Sequence, residues 1–259
     1  MPSEFFFFFF FFFLFVMALE GAIKDLVSRL EAVTARLESV EGQLASGGGG
    51  AAAAPAAGGA SAAAASSAAG DAYGELVAEF FAPWYATTQK VGGENLKAQM
   101  EAFQELVKQV QGVINVAAAS KKPSMDVLQK IAAPLAASMK KVKELRESNR
   151  RDAQWEHLST LSEGCAFANF LFVEPTPAPF VKETLASGQF WSNKILVANK
   201  GKNQDQCDFA NGFTGFLNAL HDYIRKHHTT GLSWNPRGGD AAAAAASSSS
   251  SAAAAASSS

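Results

Sequence analysis

The sequence predicts an all-α protein, in which a short oligomerising coiled coil precedes a six-helix antiparallel bundle. Apolar residues recur at intervals of three and four along most of positions 71–234, which is the period of an amphipathic helix. Almost no stretch alternates between apolar and polar residues, as half-buried strands do. The intervening segments are rich in glycine, alanine and serine and lack the large apolar side chains that a core requires.

The coiled coil is predicted at positions 17–45, where a heptad repeat runs without interruption. An isolated helix of this length is only marginally stable in water, so we expect the segment to self-associate. β-Branched residues at half of the d positions favour tetramers over dimers. The alternative, packing of this helix on the bundle, is less favoured because a linker separates the two. The predicted oligomerisation residues are Leu19, Ile23, Leu26, Leu30, Val33, Leu37, Val40 and Leu44.

The segment before the coiled coil contains an unbroken phenylalanine run at positions 5–13. The apolar stretch at positions 5–19 is shorter than the roughly 18–20 residues that span a bilayer. The start, Met-Pro-Ser-Glu, also lacks the basic character of a signal peptide. We therefore interpret positions 1–16 as a poly-phenylalanine extension outside the native protein, with translation beginning at Met17. The alternative is an uncleaved membrane anchor or an atypical signal peptide.

Two low-complexity segments flank the bundle. Positions 46–70 are predicted to be a flexible linker with an end-to-end distance of roughly 25–30 Å. Positions 236–259 are predicted to be an alanine- and serine-rich tail, in which Asp240 is a suitable cap for a helix in the alanine run that follows.

The bundle domain is predicted at positions 71–235. Ser124 follows a proline and is a suitable cap for the third helix. We expect Pro134 to kink this helix without ending it, because the apolar stripe resumes in phase. The fourth helix becomes apolar on all sides and should be central, with Cys165 as a core residue. The six helices are predicted at 71–89, 93–119, 124–149, 152–172, 178–199 and 204–228.

The sequence shows no pattern typical of an enzyme, so we expect no catalytic activity, cofactor or metal. None of the four histidines lies four residues from another histidine or a cysteine, the spacing of a helical metal site. No phosphate-binding loop, nucleophile elbow or dinucleotide-binding pattern occurs. The net charge of −2 gives no electrostatic indication of nucleic-acid binding. Two cysteines far apart in sequence are typical of a reducing compartment.

The carboxyl end of the bundle carries the most specific pattern. The string HTTGLSW at 228–234 resembles the ending of the helical domain in cyclase-associated proteins. APFVKE at 178–183 and LRESNRR at 145–151 are similar to further segments of that family. The repeated string RLE, at 29–31 and 36–38, resembles the family's RLE element. These strings follow the family's order, and the resemblance covers positions 17–236.

The resemblance implies that the chain binds cofilin-decorated actin at filament pointed ends and promotes filament disassembly and subunit recycling. Family members act as oligomers, so it also implies a homo-oligomer in the cytoplasm, on the actin cytoskeleton. We expect the surface that contacts actin and cofilin to lie at one end of the bundle. The implied contact residues are Asn149, Arg150, Pro179, Lys182, Glu183, Lys226, Thr229, Thr230, Leu232 and Trp234.

The RLE strings imply an alternative function, a signalling adaptor that binds adenylyl cyclase. A further alternative is a generic or membrane-tethered scaffold. Family members continue into proline-rich segments, a WASP-homology motif and a β-helical domain, and none of these has a counterpart in this sequence. The resemblance therefore does not extend to profilin binding, SH3 binding or nucleotide exchange on actin. The implied cyclase-binding residues are Arg29, Leu30, Glu31, Arg36, Leu37 and Glu38.

Overall fold

A computed structural model describes residues 68–246, and the predicted coiled coil lies outside this range. The six-helix antiparallel bundle is confirmed. Helix α1 comprises residues 68–76, a π-helical turn at Val77–Phe81 and an α-helix at Ala82–Val91. The remaining bundle helices are α2 (Glu94–Ala119), α3 (Met125–Ser148), α4 (Trp155–Gly164, extended by a 3₁₀ helix at Cys165–Phe172), α5 (Pro177–Asn199) and α6 (Gln204–His227).

Helix α1 begins at residue 68, before the predicted start at 71, and it is irregular in the middle. Pro83 has no backbone N–H, and the wider π-helical turn directly precedes the segment that contains it. The turn also shifts the register of the apolar stripe, because Phe81 is buried whereas Phe80 is exposed. Phe81 and Trp84 consequently lie on the same face of the helix, towards the core.

The fourth helix was predicted as one α-helix over 152–172, and this is wrong at both ends. A turn comes first, in which the Asp152 carboxylate accepts a hydrogen bond from the backbone of Gln154 (2.8 Å). From Cys165 the helix tightens to 3₁₀ winding. Three residues per turn keep Phe167 and Phe170 on one face, and both are fully buried. The prediction that this segment is central, with Cys165 in the core, is confirmed.

Aromatic side chains from α1, α2 and α6 pack together at the centre of the core. The Trp84 ring lies 5.5–5.9 Å, centroid to centroid, from rings of α2 and α6. Small residues make this packing possible, since a Cβ atom on Gly188 of α5 would lie 2.2 Å from the Phe213 ring. Burial of each such side chain contributes roughly 1.5–3 kcal/mol. The partner rings are Phe103, Phe209, Phe213 and Phe216.

Antiparallel order places the connections at two opposite ends of the bundle. At the end that we call the Asp152 end, connections 92–93, 149–154 and 200–203 lie together, and Asn95 donates a hydrogen bond to Asp152 (2.7 Å). At the opposite end, which we call the Trp234 end, lie connections 120–124 and 173–176 and the segment 228–240. There Lys122 forms an ion pair with Glu174 (2.8 Å). The 26 residues of α2 separate the two ends by about 39 Å.

The chain after α6 packs against the carboxyl end of α2. The backbone N–H of Asn235 donates to the carbonyls of Ala117 (3.0 Å) and Ser120 (2.9 Å), and that of Gly239 donates to Ala119 (2.9 Å). The Asp240 carboxylate accepts hydrogen bonds from two backbone N–H groups and caps a short helix at 241–246. Packed structure therefore continues into the segment that was predicted as tail.

Candidate binding surfaces

The structure divides the predicted actin-contact residues between the two ends of the bundle. Asn149 and Arg150 follow α3 and lie at the Asp152 end. The others lie at the Trp234 end, at the start of α5 and around the end of α6. The helices do not bring the two groups together, because α3 runs towards the end opposite to the start of α5. The residues at the Trp234 end are Pro179, Lys182, Glu183, Lys226, Thr229, Thr230, Leu232 and Trp234.

Leu232 and Trp234 attach the segment after α6 to the bundle. Leu232 is only 6% exposed, and Trp234 is half-buried against the core. Gly231 makes this turn possible, since its φ of 109° favours glycine and a Cβ atom would lie 2.7 Å from Cγ of Glu174. Leu232 was predicted as a contact residue, but its burial fits a role in sealing the bundle, because its side chain does not face outwards.

A buried hydrogen-bond chain joins this end to the first turn of α1. The Tyr223 hydroxyl donates to the carbonyl of Ala69 (2.9 Å) and lies 2.9 Å from Nε2 of His228. This arrangement requires the His228 proton on Nε2, which then donates to the phenol oxygen. Burial, together with the neighbouring His227, lowers the pKa of His228 to about 4. The Ala69 contact explains why α1 starts earlier than predicted.

Several of the predicted contact residues at the Trp234 end are exposed, above the buried residues described in the two preceding paragraphs. Lys182 and Glu183 are exposed on the first turns of α5, and the antiparallel α6 places Lys226 at the same end. Thr229 and Thr230 are exposed in the turn after α6, and the Thr229 hydroxyl donates to the carbonyl of Arg225 (3.0 Å). Charged and hydroxyl groups of this kind are typical of the polar rim of a protein–protein interface.

The Asp152 end is held by charged groups near the surface. Arg146 donates to Glu163 (2.6 Å) and to Glu147 (2.9 Å), and Arg150 also donates to Glu147. Hydrogen bonds from the two arginines lower the pKa of Glu147. The Asn149 amide donates to the carbonyl of Leu145 (2.7 Å) and ends α3. Glu147, Asn149 and Arg150 border a shallow concavity of about 440 Å³, whose other lining residues are also polar or charged.

A third surface, on the exposed face of α5, was missed by the sequence analysis. Phe190 and Val197 are 60% and 82% exposed and lie two helical turns apart. Nζ of Lys194 lies 4.4 Å from the Phe190 ring centroid and 4.2 Å from that of Trp191. Trp191 also packs edge-on against Trp155 at 6.4 Å. The signal was present in the sequence, because Phe190 and Val197 fall outside the apolar stripe of α5.

Burial shifts the pKa values of two titratable side chains in the core. Burial raises the pKa of the Cys165 thiol to about 12 and lowers the pKa of His157, whose ring lies 4.8 Å from Phe209. Within residues 68–246, no group of three or more histidine, cysteine, aspartate or glutamate side chains is arranged to hold a metal ion. None of the helices in that part of the chain has the length and hydropathy of a membrane span.

Comparison with known proteins gives one consistent result. The family model described as CAP, N-terminal domain, matches residues 73–232, and the CAP N-terminal conserved motif matches residues 25–74. The adenylyl cyclase-associated protein of Dictyostelium discoideum is 40% identical over 222 residues, which are 86% of this chain and 47% of that protein. Adenylyl cyclase-associated protein 1 of Homo sapiens is 27% identical over 218 residues, covering 83% of this chain and 44% of that protein.

Solved structures agree with this result. The crystal structure of the N-terminal domain of CAP, described as indicating variable oligomerisation, superposes with a TM-score of 0.67 at 38% identity and covers 69% of this chain and 96% of that chain. The N-terminal domain of the Dictyostelium discoideum protein gives a TM-score of 0.65, also at 38% identity, and covers 66% of this chain and 97% of that one. The chain spans less than half the length of the relatives described above. This chain belongs to the family of adenylyl cyclase-associated proteins (CAP) and contains the family's N-terminal domain.

Proposed function

We propose that this chain is an oligomeric regulator of actin dynamics in the cytoplasm. It binds cofilin-decorated actin through the Trp234 end of the bundle and promotes loss of subunits from filament pointed ends. No bond chemistry is needed for this activity. A binder accelerates departure of a subunit when it holds the departing arrangement more tightly than the arrangement in the filament, which is the principle of differential binding.

Two observations together support the proposal. The chain belongs to the CAP family, and the Trp234 end combines buried anchoring residues with exposed charged residues. Leu232 and His228 are buried and hold the turn after α6 in place. Lys182 and Lys226 are exposed on the two adjacent helices, α5 and α6. Buried supports beneath exposed charges form a pre-organised surface, which reduces the entropy lost on binding. Asn149 and Arg150 lie at the opposite end of the bundle, about 39 Å away, so we do not include them in this contact.

Self-association is the second part of the proposal. The heptad repeat at positions 19–44 supports it, and a relative of known structure is described as showing variable oligomerisation. Several bundles joined through one coiled coil raise the local concentration of binding surfaces at a filament end. The same bundle as a monomer is therefore expected to act more weakly, even though each surface is unchanged.

Single-filament imaging of cofilin-saturated actin tests both parts. The full chain should accelerate pointed-end shortening. The double variant Leu30→Ser/Leu37→Ser should sediment as a smaller species and act more weakly. The control pair Ala32→Ser/Ala35→Ser changes positions outside the a/d stripe and should leave both properties unchanged. Absence of any acceleration at micromolar concentration of the full chain would remove the actin proposal.

A second candidate function is binding of adenylyl cyclase as a signalling adaptor. Two observations favour it: the relatives carry cyclase association in their names, and the CAP N-terminal conserved motif at residues 25–74 includes both RLE strings. Replacement of Arg29 and Arg36 by glutamine should then weaken binding to a cyclase coiled-coil fragment. Equal binding of the variant and the unchanged chain would argue against this role.

A further inference from the structure

The connection between α2 and α3 presents an extended, basic segment to solvent. Residues 121–124 read Lys-Lys-Pro-Ser, form no helix and include exposed Lys121, Lys122 and Ser124. Ser124 has φ −65° and ψ 161°, which is extended backbone. The next residue, Met125, has 68% of its surface exposed although it is a large apolar side chain. Packing of the core does not explain why a serine and a large apolar methionine are exposed beside these two lysines.

The Ser124 hydroxyl is not used by the fold. Ser124 occupies the N-cap position of α3, where a serine side chain normally accepts a hydrogen bond from the first turn, but it makes no capping bond. Two other hydroxyl groups at this end are either inaccessible or hydrogen-bonded. Ser120, at the start of the same connection, is fully buried, and the Thr229 hydroxyl donates to the carbonyl of Arg225 (3.0 Å).

Protein kinases select substrates by the pattern of charge around an accessible hydroxyl in an extended segment. A kinase with acidic subsites two and three residues before the acceptor would pair with Lys122 and Lys121, and Met125 would fill an apolar subsite just after it. We propose that Ser124 is a phosphorylation site for a serine/threonine kinase of this basophilic class. The proposal concerns regulation of the bundle and is independent of what the bundle binds.

The reaction is an ordinary phosphoryl transfer. Oγ of Ser124 attacks the γ-phosphorus of magnesium-bound ATP, the bond from that phosphorus to the β–γ bridging oxygen breaks, and the hydroxyl proton passes to the carboxylate base of the kinase. The products are phosphoserine at position 124 and ADP. The new group carries a charge of about −1.5 to −2 at neutral pH.

The phosphate would alter the charge balance of the Trp234 end. Lys121, Lys122 and Ser124 line one groove of about 520 Å³, and Lys122 forms an ion pair with Glu174 (2.8 Å). A phosphate in this groove competes with Glu174 for Lys122. Because Glu174 lies against Gly231, the modification acts on the turn that carries Leu232 and Trp234. Phosphorylation of Ser124 would thereby change the conformation of the turn at the Trp234 end.

The test uses the full chain, the purified catalytic subunit of a cyclic-nucleotide-dependent basophilic kinase and radiolabelled ATP. We expect close to one phosphate per chain, located at Ser124 by mass spectrometry. Ser124→Ala should lower incorporation at least about tenfold and still fold, because the hydroxyl makes no capping bond. Lys121→Gln/Lys122→Gln should lower kcat/KM at least about tenfold. The matched pair Lys140→Gln/Lys141→Gln, both exposed on α3, should have no effect.

Two results would overturn the proposal. One is phosphate on Thr229, Ser148 or another residue while Ser124 stays unmodified. The other is modification of Ser124 in a free peptide of residues 118–130 but not in the folded chain, because the fold would then withhold the segment from the kinase. Circular dichroism of each variant verifies that a loss of incorporation does not arise from unfolding.

Discussion

The two ends of the bundle are built by different means. At the Trp234 end, buried groups hold the chain: Leu232 packs into the core, and Tyr223 and His228 share hydrogen bonds away from solvent. At the Asp152 end, ion pairs near the surface hold the chain, and they join Arg146 and Arg150 to acidic partners. Buried contacts contribute several kcal/mol each, whereas exposed ion pairs contribute about 0–1 kcal/mol. Substitutions at the first end should therefore change stability, and those at the second end chiefly the surface charge.

The largest effect is expected for Leu232→Ala, which removes a buried side chain and leaves a cavity. We expect the free energy of unfolding to fall by roughly 2–5 kcal/mol, measured by urea denaturation. Thr230→Ala changes an exposed residue in the same turn and should alter it by less than about 0.5 kcal/mol. Equal effects of the two substitutions would contradict the anchoring role of Leu232.

Acid should weaken the Trp234 end through His228. Its pKa is about 4 in the folded protein and near 6.5 when unfolded, so the unfolded chain binds more protons between these values. The contribution is fully present above pH 6.5 and is lost as the pH falls towards 4, by roughly 2 kcal/mol between pH 7.5 and pH 5. His228→Gln keeps a donor for Tyr223 but cannot titrate, so urea denaturation at both pH values should show a smaller difference.

Not all of the pH dependence should disappear in that variant. Burial also lowers the pKa of His157, which has the same sign of effect. His227→Gln serves as the comparison and should reduce the pH dependence less, because His227 is only half-buried and acts through its own lowered pKa and its charge beside His228. If His227→Gln reduced the pH dependence of the free energy of unfolding as much as His228→Gln does, His228 would not be its main source.

Comparison of Gly231→Ala with Gly201→Ala separates the effect of backbone conformation from that of side-chain crowding. Gly231 and Gly201 both have positive φ, at 109° and 73°, but a Cβ atom on Gly231 meets Glu174 whereas one on Gly201 meets open space. We therefore expect Gly231→Ala to lower the free energy of unfolding by about 1 kcal/mol more than Gly201→Ala. Thermal denaturation of the two variants gives the comparison directly. Equal losses would show that the Glu174 side chain moves away from the added Cβ atom without a cost in free energy.

The smallest effect is expected at the Asp152 end. Arg150→Ala removes an exposed ion pair with Glu147 and should change the free energy of unfolding by less than about 0.5 kcal/mol. Arg146→Ala should cost more, because that guanidinium also lies 5.6 Å from the Trp155 ring centroid. Urea denaturation in low and in high salt checks this order. A large loss for Arg150→Ala would overturn the contrast between the ends.

The sequence predicted the regular parts of the fold well and the irregular parts poorly. Helices α2, α3, α5 and α6 start and end within a residue or so of their predicted bounds, because each has a clear apolar stripe between turn residues. The π-helical turn in α1 and the 3₁₀ winding after Gly164 were not predictable in this way. Both depend on which neighbours the aromatic side chains meet in the core, and the local sequence does not specify this.

The arrangement of the candidate site could not be read fully from the sequence. The string at 228–234 indicated the family, yet the sequence alone did not show that Leu232 is buried. Grouping Asn149 with Lys182 was avoidable. Alternating helix direction already places the end of α3 and the start of α5 at opposite ends. The aromatic surface around Phe190 was not predicted, because the predictions rest on apolar stripes that face the core and Phe190 lies outside the stripe of α5.

In the proposed function, actin is contacted by the Trp234 end of the bundle and not by the Asp152 end. Single-filament imaging of cofilin-saturated actin should compare the double variants Lys182→Glu/Lys226→Glu and Arg150→Glu/Arg151→Glu, which reverse the same amount of exposed charge at the two ends. Both variants should stay folded. We predict that the first loses most of its acceleration of pointed-end shortening and that the second retains it. Loss in the second variant with retention in the first would contradict the account.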